Sequence, residues 1–295
     1  MSLLEMRGIV PSLNTPFDVA GEVDLAAVGA LVEETVASGA AGILAIAVAG
    51  EHTSLSDDEK ARIARRVCEV AAGRVPVFIS VTAAEPETSV GLAAMARAAG
   101  ADGICCQRPA DLGDLARIAD AGPDMLMIQD LDWTGSGMSV QTIAELFETL
   151  PKFQSLKIET VDPGPKYSAV IEATGGELHV AGGWAIRTMP DALERGVHAF
   201  MPTTMDRIYV AIYDAFRRVD TERAWGIFGR LLPVLEFSNQ HIDVSIRFFK
   251  MMRHAEGMFA TDLCRPPVRE LTDAERVEAR RHISYVAELA REITG

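Results

Sequence analysis

The chain has 295 residues, 48% of them hydrophobic, and a formal net charge of −14. That length exceeds an ordinary single domain but suits an α/β barrel of roughly 200–250 residues carrying an appendage. So acidic a chain lacks the basic face that nucleic acid or an anionic membrane requires, and no stretch approaches the ~20 apolar residues of a membrane span. The N-terminal segment 1–7 has neither a basic start nor a long apolar run, so no signal peptide and a cytoplasmic location are expected. Cys68, Cys105, Cys106 and Cys264 show no metal-ligand spacing and read as free thiols in a reducing compartment.

Apolar runs and helical segments alternate along the chain. Residues 8–13 form the first predicted strand and Thr15-Pro16-Phe17 a turn; a helix over 24–38 then stops at Gly39. Residues 42–47 are the second strand and 48–53 a loop. Ser56 with Glu59 opens the next helix as a capping box, and that helix runs to Ala72. The third strand spans 74–80 and its helix 88–99; the fourth pair is 103–106 and 111–121, the fifth 125–128 and 140–150. The sixth is 153–159 and 166–174, the seventh 178–181 and 188–195, the eighth 199–201 and 208–218. The strands are continuous apolar runs, as in a parallel sheet covered by helices. The joints Gly39–Gly42, Gly100–Gly103 and Gly196–Ala199 echo one another, each with a glycine at a helix end before a buried strand.

Eight strand–helix units in series predict a closed (β/α)8 TIM barrel over 1–220. The alternative, a doubly wound open sheet, lacks a glycine-rich dinucleotide fingerprint at its first joint. Beyond 220 only helices are predicted, over 223–237, 244–254 and 274–293, so 221–295 reads as a C-terminal helical appendage.

Of the lysines 60, 152, 157, 166 and 250, only Lys157 follows a strand-like run. Burial disfavours an ammonium, so such a lysine suits an amine nucleophile. It equally suits an ion pair with Glu159. Barrel enzymes carry their chemistry on the loops after the strands. In the loop after strand two, Val48, Ala49, Gly50 and Glu51 are either a plain tight turn or a nest of N–H groups for a carboxylate. After strand five, Gln129, Asp130, Asp132 and Trp133 form a polar site floor, or a solvated loop with an Asx turn. After strand seven, Gly182-Gly183-Trp184 is a flexible, aromatic-bordered turn, with a phosphate site near Arg187 as the weaker alternative. The histidines form no ligand-spaced pair, so no metal site is predicted. Glu51, Asp130, Asp132 and Glu159 at strand ends leave magnesium a disfavoured alternative.

Thr15-Pro16-Phe17 with Gly21 and Asp24, Gly50-Glu51 followed by Leu55-Ser56 and Glu59-Lys60, Gly73–Val77, Gly100–Gly103, Lys157 with Glu159, and Arg265-Pro266-Pro267 form a recognisable set. Over nearly the whole chain it resembles the dihydrodipicolinate synthase/N-acetylneuraminate lyase superfamily, class I aldolases and dehydratases acting on 2-keto acids. Three departures stand out. Ala47-Val48-Ala49-Gly50-Glu51 replaces the family's Gly-Thr-Thr-Gly-Glu, and Gln129-Asp130-Leu131-Asp132 its Tyr-Asn-x-Pro. Arg108-Pro109-Ala110-Asp111 stands where the family has its tyrosine pair, and the synthases' carboxylate-binding arginine has no counterpart. Gln129-Asp130 and Lys157-Ile158-Glu159-Thr160 look most like the 2-keto-3-deoxy-arabonate dehydratase branch.

The resemblance implies a lyase acting on pyruvate or a 2-keto-3-deoxy sugar acid. It would use no cofactor beyond a covalent Schiff base to Lys157 and would form a homotetramer or homodimer. The N–H groups of Val48 and Ala49 would hold the substrate carboxylate, with Gly50, Glu51, Gly182 and Gly183 around it. Gln129 would orient a hydroxyl or water. Asp130, Asp132 or a water they hold would act as acid and base in place of the missing tyrosine. The alternatives are a dihydrodipicolinate synthase proper and a catalytically inactive barrel that binds 2-keto acids.

Overall fold

The structure is a computed structural model that describes residues 3–183 and 187–294. Eight strands appear in chain order: β1 (Gly8–Ile9), β2 (Ile43–Ala45), β3 (Val77–Ser80), β4 (Gly103–Gln107), β5 (Met125–Asp132), β6 (Phe153–Thr160), β7 (His179–Gly182) and β8 (Ala199–Phe200). From β2 to β8 each strand pairs in parallel with the next, and β8 pairs with β1. The last seam closes just beyond β1. Ser12 bridges Leu44, Leu13 N–H donates to Leu44 O at 2.9 Å, and Leu44 N–H donates to Pro11 O at 2.9 Å. The sheet is therefore a closed barrel.

Helices α1 (Leu25–Ala37), α2 (Asp57–Ala71), α3 (Pro86–Ala98), α4 (Gly113–Ala121), α5 (Val140–Thr149), α6 (Pro163–Ala173), α7 (Met189–Glu194) and α8 (Asp206–Arg217) follow the strands in turn. Their ends obey local chemistry. The Asp24 carboxylate accepts from Ala26 N–H and Ala27 N–H to start α1, and Ser56 and Glu59 form the reciprocal capping box of α2. The three echoed joints share one cause. Gly39, Gly100 and Gly196 take φ of 88°, 84° and 88°, the left-handed turn that ends a helix and sends the chain into the next strand.

Side chains alternate across each strand and separate two apolar regions. Met6, Val10, Leu44, Phe78, Cys105, Met127, Ala181, Ala199 and Met201 fill the barrel interior. Ile43, Ile104, Leu126, Ile128, Leu156, Ile158 and Val180 face outward to the helices. All four cysteines are free thiols. Burial pushes Cys68 up to about 11 and Cys105, Cys106 and Cys264 up to about 12, so none is a ready thiolate.

Three more helices, α9 (Thr221–Ser238), α10 (Ile242–Ala255) and α11 (Asp273–Thr294), complete the chain. Their apolar faces, including Ile227, Leu231, Phe248 and Leu289, are continuous with the layer outside the barrel. Two buried ion pairs fix α10 across the barrel's C-terminal mouth. Lys250 Nζ meets Glu51 Oε1 at 2.5 Å, and Arg253 Nη2 meets Asp206 Oδ2 at 2.9 Å. Among the described residues no helix is long and apolar enough to cross a membrane.

At the opposite end, β7 buries His179. Its Nδ1 bonds to Ser155 Oγ at 2.9 Å and its Nε2 to Met6 O at 2.9 Å. Desolvation, opposed by the Met6 carbonyl and reinforced by His198 and Arg7, drives this imidazole down to about 3. An unfolded histidine titrates near 6.5, so between those values the unfolded state binds a proton that the folded state refuses. Stability should therefore fall as pH drops below about 6.5, by up to about 1.4 kcal/mol per pH unit from this residue. Urea unfolding followed between pH 7 and 5 should show a shallower loss in His179→Gln than in the parent.

Candidate active site

Inward-facing residues at the C-terminal ends of the strands build a cavity. Ser12 lies beyond β1, Ala47 and Val48 beyond β2, Gln129 on β5, Lys157 and Glu159 on β6, and Met201 and Thr203 beyond β8; α10 contributes Ile242, Ser245 and Phe249 as a roof. Pairing register sets Gln129 directly beside Lys157. Because strand side chains alternate, Lys157 and Glu159 share the inner face while Leu156 and Ile158 face the helices.

The centre of the cavity is a buried three-residue contact. Lys157 Nζ lies 3.0 Å from Glu159 Oε2, and Gln129 Nε2 donates to the same oxygen. Lys157 and Glu159 are 5% and 7% exposed, so water screens their interaction weakly. At this distance the carboxylate is within hydrogen-bonding reach of the amine, and it borders the same cavity. Sequence reading gives Glu159 as an ion-pair partner of Lys157, as a disfavoured magnesium ligand and as part of the family motif, and not as an acid or base. The two-residue spacing was the signal that it shares the lysine's face.

The residues flanking β2 are bent to serve the same cavity. Ile46 and Glu51 adopt φ of 60° and 57° on either side of a 3-10 turn, Val48–Gly50. For a β-branched residue such as Ile46 this is a strained conformation. Gly50 N–H and Glu51 N–H are spent on Ala47 O and Val48 O at 2.9 and 3.0 Å. The Val48 and Ala49 N–H groups donate to no acceptor among the described residues, and both residues line the cavity. Asn14 Nδ2 and Thr15 Oγ1 brace the turn through Ala49 O and Gly50 O at 2.9 and 2.7 Å.

Several expected site residues lie elsewhere. Asp130 and Asp132, read from sequence as candidate acids and bases, do not line the cavity, because they sit on the outer face of β5. Asp130 pairs with Lys166 of α6 and accepts Met138 N–H at 2.8 Å. Asp132 accepts Thr134 N–H and Gly137 N–H, both at 3.1 Å; these bonds hold its carboxyl below the usual range. Together they shape the loop that carries Trp133, and Trp133 does reach the cavity. Glu51 turns away from the cavity to Lys250 and to the N–H of Arg265, 2.8 Å away. Gly50 packs against Leu13 O.

Gly182 faces outward beside Tyr167. Gly183 gives space, since a Cβ there would stand 2.3 Å from Glu159 Oε1. Trp184 lies outside the described residues. Missed by sequence reading were Ser12 and Thr203, which the strand-end rule could have found, and Ile242, Ser245 and Phe249, which it could not.

The description of the dihydrodipicolinate synthetase family matches residues 5–286. The chain belongs to that family. Among curated relatives, L-2-keto-3-deoxyarabonate dehydratase of Azospirillum brasilense is 25% identical over 287 residues, 92% of each chain. The 4-hydroxy-tetrahydrodipicolinate synthase 2 of Halalkalibacterium halodurans is 30% identical over 245 residues, 79% of this chain and 83% of the relative. The crystal structure of dihydrodipicolinate synthase from Rhodopseudomonas palustris superposes with a TM-score of 0.87 at 21% identity, covering 98% of this chain and 99% of that one. An E. coli K12 prophage protein of the dihydrodipicolinic acid synthase family, in complex with pyruvate, gives 0.84 at 21% identity, with 95% and 98% covered. These structural likenesses establish the TIM-barrel fold. Family and relatives together make the protein an enzyme of the dihydrodipicolinate synthase family, of the lyase type.

Within this family member, Gly183 supplies a direct test of Glu159. In Gly183→Ala the new methyl must push the carboxylate off Lys157, and a displacement of about 1 Å is on the scale that costs about 100-fold in rate. Turnover should drop by that order while the circular-dichroism melt stays cooperative.

Proposed function

We propose that the protein is a Schiff-base dehydratase of 2-keto-3-deoxy sugar acids. The observation that supports this reading is Glu159, buried 3.0 Å from the Lys157 amine and gripped by Gln129 where the family has its tyrosine. Lys157 passes its proton to Glu159 and attacks the substrate ketone at C2. Glu159 returns that proton to the departing C2 hydroxyl, and loss of water leaves an iminium, an electron sink, with Glu159 again a carboxylate. Glu159 then removes a proton from C3, the electrons collect as an enamine, and the enamine expels the C4 hydroxyl, which leaves as water with the proton from Glu159. Hydrolysis frees the product and restores Lys157. The Val48 and Ala49 N–H groups hold the C1 carboxylate throughout, and Gln129 keeps Glu159 aimed.

This mechanism needs no cofactor, because the protein amine supplies the electron sink. It also divides labour between the two groups. Borohydride reduction with pyruvate should label Lys157, and Lys157→Ala should abolish the label. Glu159→Gln should still be labelled while turnover on a 2-keto-3-deoxy acid falls about 100-fold or more, the scale of general acid–base catalysis. Labelling at Lys152 or Lys166 instead would remove the basis of the mechanism.

The name of the Halalkalibacterium relative favours a second reading, condensation of pyruvate with aspartate semialdehyde. That reaction brings a second carboxylate into the site, and among the described cavity residues the only lysine or arginine is Lys157. Purified protein should therefore show condensation far below the about 1–1000 per second of ordinary turnover. A rate inside that range would restore the synthase reading.

A further inference from the structure

A second cavity continues from the lysine cavity along α10. The two share Trp133, Ile242 and Ser245, and the second runs on to Ser238, Asn239, Gln240 and His241 at the elbow between α9 and α10. Its lining combines the apolar Trp133 and Ile242 with the hydrogen-bonding side chains of Ser238, Asn239, Gln240, His241 and Ser245.

Asn239 is the unusual member of that lining. Its backbone N–H is spent on Leu235 O at 2.9 Å, which anchors the elbow. Its side-chain Oδ1 and Nδ2 are both closed off from solvent, and neither has a partner among the described residues. A buried amide with donor and acceptor both unmatched is rare in folded proteins unless a ligand or water answers it.

Charge narrows what that ligand is. Apart from Lys157, no lysine or arginine lines either cavity among the described residues. Arg187 nearby is bound to Glu236 at 3.1 Å, and residues 184–186 are Trp, Ala and Ile. His241 accepts Asp243 N–H at 3.1 Å, and its ring nitrogen lies 3.5 Å from the Asp243 carboxylate. A tail ending in carboxylate or phosphate would meet no free cation here. A neutral chain of hydroxyls would meet donors and acceptors together with an indole for its C–H groups.

We infer that the second cavity is a tail subsite, in which Asn239 and Ser245 hydrogen-bond the distal hydroxyl groups of a 2-keto acid whose ketone reaches Lys157. This rests on the Schiff-base reading and adds the far end of the substrate, neutral and hydroxylated.

A set of 2-keto acids tests the tail alone: pyruvate without one, 2-oxopentanoate with an apolar one, 2-oxoglutarate with a charged one, and a 2-keto-3-deoxypentonate with a hydroxylated one. Calorimetry reads affinity, and borohydride trapping separately reads the Lys157 adduct. The pentonate should bind about tenfold tighter than 2-oxopentanoate or 2-oxoglutarate, the scale of one or two neutral hydrogen bonds. Asn239→Leu and Ser245→Ala should each weaken the pentonate about fivefold more than they weaken pyruvate, within the range of one such bond. Equal affinity for the three tailed acids, or equal losses for pentonate and pyruvate in both variants, overturns the subsite while Lys157 still labels. Absence of any adduct at Lys157 overturns the Schiff-base reading instead, and the calorimetric ranking still decides the subsite.

Discussion

Glu159 is closed inside the barrel between the Lys157 ammonium site and the Gln129 amide, and much of the surrounding structure follows from keeping it there. A carboxylate taken out of water is tolerated only where its charge and lone pairs are met. The parallel register of β5 and β6 brings Gln129 level with Lys157, and alternation then sets Glu159 on the same face, two residues on. Gly183 on the adjoining strand end leaves the volume the carboxylate fills. The outward residues of β5 serve the same arrangement from behind. Asp130, through Lys166 and Met138 N–H, fixes the loop that brings Trp133 over the cavity.

A second buried pair governs the distance between floor and roof. Glu51 stands at the end of the turn that offers Val48 and Ala49 N–H groups, and its carboxylate is bound to Lys250 on α10 and to the N–H of Arg265. Lys250 and Arg265 also lie over the ring of Phe17, at 4.0 and 4.3 Å from its centroid. The turn and the helix that carries Ser245 and Phe249 are thus tied to each other. Removing one partner of such a pair typically costs about 3–5 kcal/mol, so the roof is a built part of the site. This explains why Glu51, at the end of the Val48–Gly50 turn, faces away from the cavity.

The barrel itself was legible from the chain. Eight apolar runs separated by helical segments, with the glycine joints at 39, 100 and 196, reflect local requirements: buried strands need continuous apolar residues, and helix ends need a left-handed residue. Lys157 was legible because a lone lysine in a buried strand is expensive without a task. The choice among nearby acids was less so. Asp130 and Asp132 follow strand five and Glu159 follows the lysine, so proximity in sequence favours all three. The face each occupies depends on strand parity, and parity is fixed only once the outward Ile128 and inward Met127 are known.

The sequence by itself determined the fold class, the lone lysine of the sixth strand and the small-residue turn after strand two, since each is a matter of local pattern or composition. Tertiary structure alone decided that Gln129 meets Glu159, that Asp130 and Glu51 are engaged by Lys166 and Lys250, and that Asn239 and Ser245 adjoin the second cavity. Glu51 and Lys250 are 199 residues apart in the chain. No periodicity or propensity links such positions. They meet only because the closed barrel and the helices packed on it force their buried charges to find one another.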